Sequence, residues 1–239
     1  MLDTDLKIRE IVQEAHNVKT ISLDLDGKKF PFQPGQFVSV TVPTQEGPQI
    51  RSFSISSSPT TQDHLEITVK RYEDSSAAKA LHAMKRGQTL HVRGPFGLFT
   101  LKPEDENVCM IAGGNGVTPL MSMIRYSSAT KGTIHPLLLY SNRTKEDIIF
   151  YEELLDHEKK GTVDVFFTLT QESPAGWPGL SSRVDLDMIK KCFGNLSEKT
   201  FFLCGPPSMV LEVAATLEGA GVPREMIRME QFIRPKKHP

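Results

Sequence analysis

The chain has 239 residues, 38% of them hydrophobic and 24% charged, with a formal net charge of -1. That is an ordinary globular composition with material for two compact domains, and so balanced a charge offers no handle to nucleic acid or an anionic membrane. No apolar run approaches the roughly 20 residues that cross a bilayer.

The three cysteines, Cys109, Cys192 and Cys204, form no Cys-x-x-Cys pair. They give no basis for a structural zinc, a four-cysteine iron–sulfur cluster or a disulfide scaffold. The seven histidines show no metal-ligand spacing, so no metal is expected. The start of the chain, residues 1–6, is acidic and polar, unlike a secretion signal, and the expected home is the cytoplasm.

In chain order, residues 20–25, 36–42 and 64–70 alternate as strands, separated by Asp26-Gly27 and Gln33-Pro34-Gly35. A helix is expected over 76–84, where Ala77, Ala80, Leu81 and Met84 form a stripe ahead of Gly87. Short strands with one helix predict an antiparallel barrel. The rhythm then changes. Strands over 108–112, 134–141, 163–170 and 200–204 precede helices over 120–126, 146–158, 185–193 and 208–218. That alternation predicts a doubly wound parallel sheet. The boundary falls at the polar, proline-marked residues 101–106, giving domains 1–103 and 104–239.

Three stretches carry chemistry. Arg51-Ser52-Phe53-Ser54, running on to Ser58-Pro59, makes a poor core strand but a serviceable ligand wall. An arginine forks onto phosphate, an aromatic stacks on a planar ring, and a hydroxyl bonds ring nitrogens. Gly113-Gly114-Asn115-Gly116-Val117-Thr118-Pro119 lies between a strand and a helix, the arrangement that presents backbone N–H groups to a phosphate. Cys204-Gly205-Pro206-Pro207 ends a strand where α/β ligands bind. Each has an ordinary reading too: a serine-rich edge strand, a glycine turn, a small hydrophobe closing a strand.

Taken in order, these motifs resemble the ferredoxin–NADP reductase superfamily. Pro34-Gly35-Gln36-Phe37 and Arg51-x-Phe53-Ser54 are similar to its flavin motifs, and Gly94-Pro95-Phe96-Gly97 to the Gly-Pro-x-Gly ending its barrel. Gly113–Pro119 is similar to its pyridine-nucleotide loop, Cys204-Gly205-Pro206 to its Cys-Gly-Pro, and Glu230-Gln231-Phe232 to its C-terminal patch.

The resemblance implies an antiparallel flavin-binding barrel with one helix, then an NAD(P)-binding α/β domain. It implies hydride transfer from NADH or NADPH to FAD and electron delivery to a separate acceptor protein: a ferredoxin, another iron–sulfur protein, a haem protein or an oxygenase component. On that resemblance Arg51, Phe53, Ser54, Ser58, Gly94 and Phe232 meet FAD. Gly113, Gly114, Gly116, Thr118, Pro119, Ser141, Arg143, Cys204, Gly205 and Pro206 meet the nicotinamide coenzyme, and Ser54, Cys204 and Glu230 serve hydride transfer. Phe53 replaces the family's usual tyrosine, and Ala78-Lys79-Ala80-Leu81 stands where Ser-x-x-Leu is common, with Ser75 and Ser76 just upstream.

Arg143 and Lys145 favour NADPH, yet Arg143 serves equally well at a pyrophosphate or as a residue facing solvent. A free flavin reductase and a non-catalytic nucleotide-binding subunit are the alternative readings. The basic tail, residues 234–239, is expected to be solvated or to dock an acidic partner.

Overall fold

The computed structural model describes residues 1–130 and 134–232; the basic tail 234–239, with His238, lies outside them. The chain packs as two compact units, Met1–Pro103 with Thr118–Gly132, and Glu104–Val117 with Thr133–Pro239.

The first unit is a six-stranded antiparallel sheet of β1 (Leu2–Ala15), β2 (Val18–Asp24), β3 (Phe37–Val42), β4 (Gln49–Ser54), β5 (His64–Lys70) and β6 (Thr89–Phe96). Its order is β4-β3-β6-β1-β2-β5. The sheet curls until the residues just after β4 meet the middle of β5. There an Ile55–Ile67 bridge forms, and the Ser56 N–H donates to the Glu66 carbonyl at 2.9 Å. The barrel read from the sequence is thus a curled sheet, joined along this short seam.

Its core follows the two-residue period: Val38, Val40 and Val42 of β3, Ile21 and Leu23 of β2, and Leu65, Ile67 and Val69 of β5 are all buried. Each such burial stabilises by about 1.5–3 kcal/mol. Helix α1 (Ser76–Ala83) adds Ala77, Ala78 and Leu81 to this core. Ser75 caps it, its Oγ accepting from the Ala78 N–H at 3.2 Å.

Strand β1 escaped the sequence reading because only Leu6 and Ile8 of its 14 residues are buried, among Asp, Lys, Arg and Glu.

The second unit is a parallel sheet of β7 (Val108–Gly113), β8 (Leu137–Asn142), β9 (Asp164–Leu169), β10 (Thr200–Gly205) and β11 (Ile227–Gln231), in the order β11-β10-β7-β8-β9. Central strands β7 and β10 are buried along their whole length, as a sheet covered on both faces requires. Helix α2 (Val117–Thr130) follows β7, and its residues from Thr118 onward pack within the first unit. Helices α3 (Tyr151–Lys159), α4 (Leu186–Phe193) and α5 (Pro207–Gly219) complete the alternation.

One expected helix is different. In place of a single helix over 146–158 there is a 3-10 turn, Lys145–Asp147, then a break at Phe150 with φ 59°, and only then α3. Ile148, Ile149 and Phe150 are consecutive and all buried, and the left-handed backbone at Phe150 breaks the helical path. The Ile149 N–H donates to Tyr140 Oη instead, at 3.2 Å.

The polar stretch at 101–106 is also more than a connection. Asp105 is 5% exposed and accepts both terminal nitrogens of Arg228 at 2.6 Å. That guanidinium lies 5.0 Å from the centre of the Phe202 ring.

Candidate active site

In the parallel sheet, β8 and β9 extend from one side of β7 while β10 and β11 lie on the other. This switch of direction lies at the carboxyl ends of β7 and β10, the place where α/β sheets bind ligands.

Glycines let those two strand ends close together. A Cβ on Gly116 would collide with the Cys204 carbonyl, and one on Gly205 would stand 3.0 Å from the Gly113 nitrogen. A Cβ on Gly113 would lie 2.9 Å from Pro206 Cδ. Gly114 is different: φ is +51° and nothing lies within 4 Å of where its Cβ would be. It leaves the main chain open to an approaching ligand. Tyr140 Oη anchors the turn, donating to the Gly114 carbonyl at 3.0 Å.

Opposite the turn, α5 starts at Pro206-Pro207 with no side-chain cap, so its first N–H groups remain available to an anion. Thr118 and Pro119 are buried in the first turn of α2. Ser141, 9% exposed, pairs in register with Gly113, whereas Arg143 is exposed. Sequence reasoning passed over Asn142. It is 5% exposed at the carboxyl end of β8, and neither amide atom of its side chain has a partner among the described residues.

Cys204 and Glu230 are register neighbours on β10 and β11. Burial, and then the charge of Glu230, push the Cys204 thiol well above its ordinary value, so the sulfur is a packed thiol and not a nucleophile. Burial also pushes the Glu230 carboxyl up to about 7, and its Oε2 is buried without a partner among the described residues. A carboxyl in that state holds or releases a proton near neutral pH. The Phe232 N–H donates to the Gly205 carbonyl at 3.3 Å, which brings the C-terminal aromatic alongside the same strand end.

In the first unit, register sets which way the expected ligand wall faces. Arg51 faces Val40 and Phe53 faces Val38, so both point to the same side as the buried valines of β3. Phe53 packs against that core while remaining partly exposed. Ser54, on the other side of the strand, is 7% exposed, and Ser58 beyond it is 4% exposed. The Ser58 hydroxyl is paired with Thr60 at 2.7 Å. Gly94 is required by packing, since a Cβ would stand 2.9 Å from Val38 Cγ1.

The Arg51 guanidinium has no carboxylate partner among the described residues. It donates to the Ile50 carbonyl at 2.8 Å and to Gln49 Oε1 at 2.6 Å. Gln49 Nε2 in turn reaches Ser76 Oγ at 2.8 Å, at the start of α1. Arginine, glutamine and helix N-terminus therefore form one polar row, which suits a pyrophosphate. The Gln49 link could have been suspected from its place two residues before Arg51 on the same strand face. Glu46 Oε2 stands 3.2 Å from both Gln49 Nε2 and Ser76 Oγ, and brings a negative charge to the row.

These donor sets fit an FAD in the first unit and a dinucleotide in the second. Residues 5–101 match the family described as oxidoreductase FAD-binding domain, and residues 110–215 the oxidoreductase NAD-binding domain. The chain is 32% identical over 216 residues to ferredoxin–NADP reductase B of Sorangium cellulosum, covering 87% of this chain and 88% of that one. It is also 32% identical to the glycine betaine monooxygenase reductase subunit of Pseudomonas aeruginosa, covering 93% of this chain but only 62% of that longer relative.

In fold it is similar to the flavohem-like FAD/NAD-binding domain of nitric oxide dioxygenase from Vibrio cholerae, with a TM-score of 0.88 at 23% identity over 95% of this chain and 98% of that one. Among the described residues no helix is long and apolar enough to cross a membrane, and no cluster of His, Cys, Asp and Glu is placed to hold a metal. The chain belongs to the ferredoxin–NADP reductase superfamily of FAD- and NAD(P)H-dependent oxidoreductases, an FAD-binding domain followed by an NAD-binding one.

Proposed function

We propose that this chain is a reductase component that takes hydride from NADH or NADPH onto FAD and passes electrons to a separate acceptor protein, such as a ferredoxin, another iron–sulfur protein, a haem protein or an oxygenase component. The observation that carries the reading is the ordered pair of domains, the second with a glycine turn at the closely packed carboxyl ends of β7 and β10. The longer relative named a monooxygenase reductase subunit supports a protein acceptor. We assign residues 1–103 to the flavin and 104–239 to the coenzyme, and the three free, buried cysteines support a reducing, cytoplasmic setting.

Bound FAD supplies the conversion of a two-electron donor into single-electron transfers. The rest falls to the chain. Arg51, with Gln49 and the start of α1, binds the pyrophosphate. Phe53 offers a face to the flavin ring, Gly94 keeps the strands close, and Ser54 and Ser58 supply hydroxyls at the wall. Gly113, Gly114, Gly116, Thr118 and Pro119 shape the coenzyme turn, with Gly205 and Pro206 opposite it and Ser141 and Arg143 at the end of β8. Cys204 orients by packing, Glu230 stores a proton near neutrality, and Phe232 covers the site.

A second reading, a reductase of freely exchanging flavin, is favoured by one observation: the Glu46 carboxylate lies beside the phosphate row. Two measurements separate the readings. Purified protein that is yellow, with FAD retained through gel filtration, supports the first; FAD lost on dilution supports the second. Arg51→Ala should weaken FAD retention by about tenfold to a hundredfold, the loss of a charge-assisted bidentate contact. Unchanged flavin occupancy in that variant would remove Arg51 from the site. Turnover with NADH against NADPH, using ferricyanide, a ferredoxin, cytochrome c and free flavin in turn, assigns the donor and acceptor. No oxidation of either coenzyme by FAD-loaded protein would favour a nucleotide-binding subunit without turnover.

A further inference from the structure

The wall that carries Ser54 does not hold its own shape. Beyond β4 the chain turns through Ile55, Ser56 and Ser57, all three buried. The N–H groups of Ile55 and Ser56 are used by the carbonyls of Gln36 and Glu66, each at 2.9 Å. The carbonyls of Ser56 and Ser57 need partners as well, because a buried orphan acceptor costs about 1–3 kcal/mol.

Both partners come from one face of α2, three residues apart. Ser122 Oγ donates to the Ser57 carbonyl at 2.7 Å, and Arg125 Nη1 donates to the Ser56 carbonyl at 2.9 Å. The same Arg125 nitrogen is 2.7 Å from Glu66 Oε2, in a pair whose side chains are only 19% and 20% exposed. Glu66 returns to the turn through its backbone N–H, which donates to Ser57 Oγ at 3.0 Å. Ser56 Oγ accepts from Thr68 Oγ1 at 3.1 Å, and Thr68 is paired with Thr20 at 2.9 Å. The turn is thus gripped from both sides, by β5 and by α2.

We propose that Ser122 and Arg125 are positioning residues of the flavin site, fixing the turn at 55–57 so that Ser54 and Ser58 present their hydroxyls in one orientation. This rests on the assignment of the Arg51–Ser58 wall to FAD. The two side chains act through the backbone of the turn and need touch no ligand. Nothing in the sequence marked them, since a serine and an arginine on a helix read as solvated positions.

The test uses the full chain, as wild type, Arg125→Met, Arg125→Lys and Ser122→Ala. Three quantities are read: FAD affinity by flavin fluorescence, the visible spectrum of the bound flavin, and the rate at which NADH or NADPH bleaches it at full occupancy. Arg125→Met should weaken FAD binding and slow bleaching, each by about tenfold, as misplacement by a fraction of an ångström does, and should shift the flavin bands. Arg125→Lys, which keeps the charge facing Glu66, should fall between it and wild type. Ser122→Ala removes a single buried atom and should move all three readings in the same direction by a smaller factor, which maintains the test if Arg125→Met does not fold.

Variants with lowered Tm but wild-type spectrum, affinity and rate would show a purely structural clamp and overturn the proposal. A wild-type chain that takes up no FAD would instead overturn the flavin assignment on which the proposal rests.

Discussion

At the scale of single residues, Glu230 has a consequence that needs no ligand. Its carboxyl stands at about 7 in the folded chain against an ordinary 4.5, because burial disfavours the charge. Between those two values the folded state binds more protons than the unfolded state, so stability falls as pH rises from about 4.5 to about 7 and stays lower above it. The full span is at most roughly 3 kcal/mol. Glu230→Gln should flatten this dependence and be more stable than wild type at pH 8 in urea titrations. An identical pH profile in the two proteins would place the Glu230 carboxyl in water. Glu46→Gln is expected to tighten FAD binding by a few-fold, since it removes a negative charge 3.2 Å from the row that would hold phosphate. Weaker or unchanged binding, followed by fluorescence, would count against that placement.

At the scale of elements, the glycine turn separates two kinds of requirement. Gly116→Ala puts a Cβ into the Cys204 carbonyl, so the strand ends must part. A loss of about 1–3 kcal/mol and of NAD(P)H binding is expected. Gly114→Ala has open space and costs only the left-handed strain of about 1 kcal/mol. Equal behaviour of the two variants in thermal melts and coenzyme titration would contradict the close approach of β7 and β10. Asp105→Ala removes both hydrogen bonds that the buried carboxylate accepts from Arg228 beside Phe202. Since Arg228 retains 27% side-chain exposure, about 2–3 kcal/mol is expected, below the cost of a fully buried pair. A denaturation midpoint matching wild type would reduce that contact to decoration.

The elements also show what a sequence can and cannot convey. Strands β2, β3 and β5 were legible because one side of each is core, so alternation survives in the residue types. Strand β1 was not, because most of its side chains meet solvent; nor was β11, five residues at a sheet edge. The break before α3 was hidden because Ile148, Ile149 and Phe150 continue an apolar pattern, and no residue type there marks the left-handed backbone at Phe150. In the proposed site, residues in short motifs such as Arg51, Gly116 and Cys204 could be put forward from motif order alone. Ser122, Arg125 and Asn142 could not, since their roles arise from partners distant in sequence or from burial.

At the scale of the whole molecule, the chain spans 62% of the length of the monooxygenase reductase subunit it matches, yet 88% of ferredoxin–NADP reductase B. Both domains that the proposed chemistry requires lie within this chain, at residues 5–101 and 110–215. The chain alone should therefore complete the first half-reaction without any partner. Anaerobic titration of FAD-loaded protein with NADH and, separately, NADPH measures this directly. Bleaching of the flavin band by about one equivalent of at least one coenzyme, with colour restored by ferricyanide, is the expected result, because hydride transfer delivers two electrons to one flavin. Protein shown to hold FAD whose flavin stays oxidised in excess of both coenzymes would contradict the account.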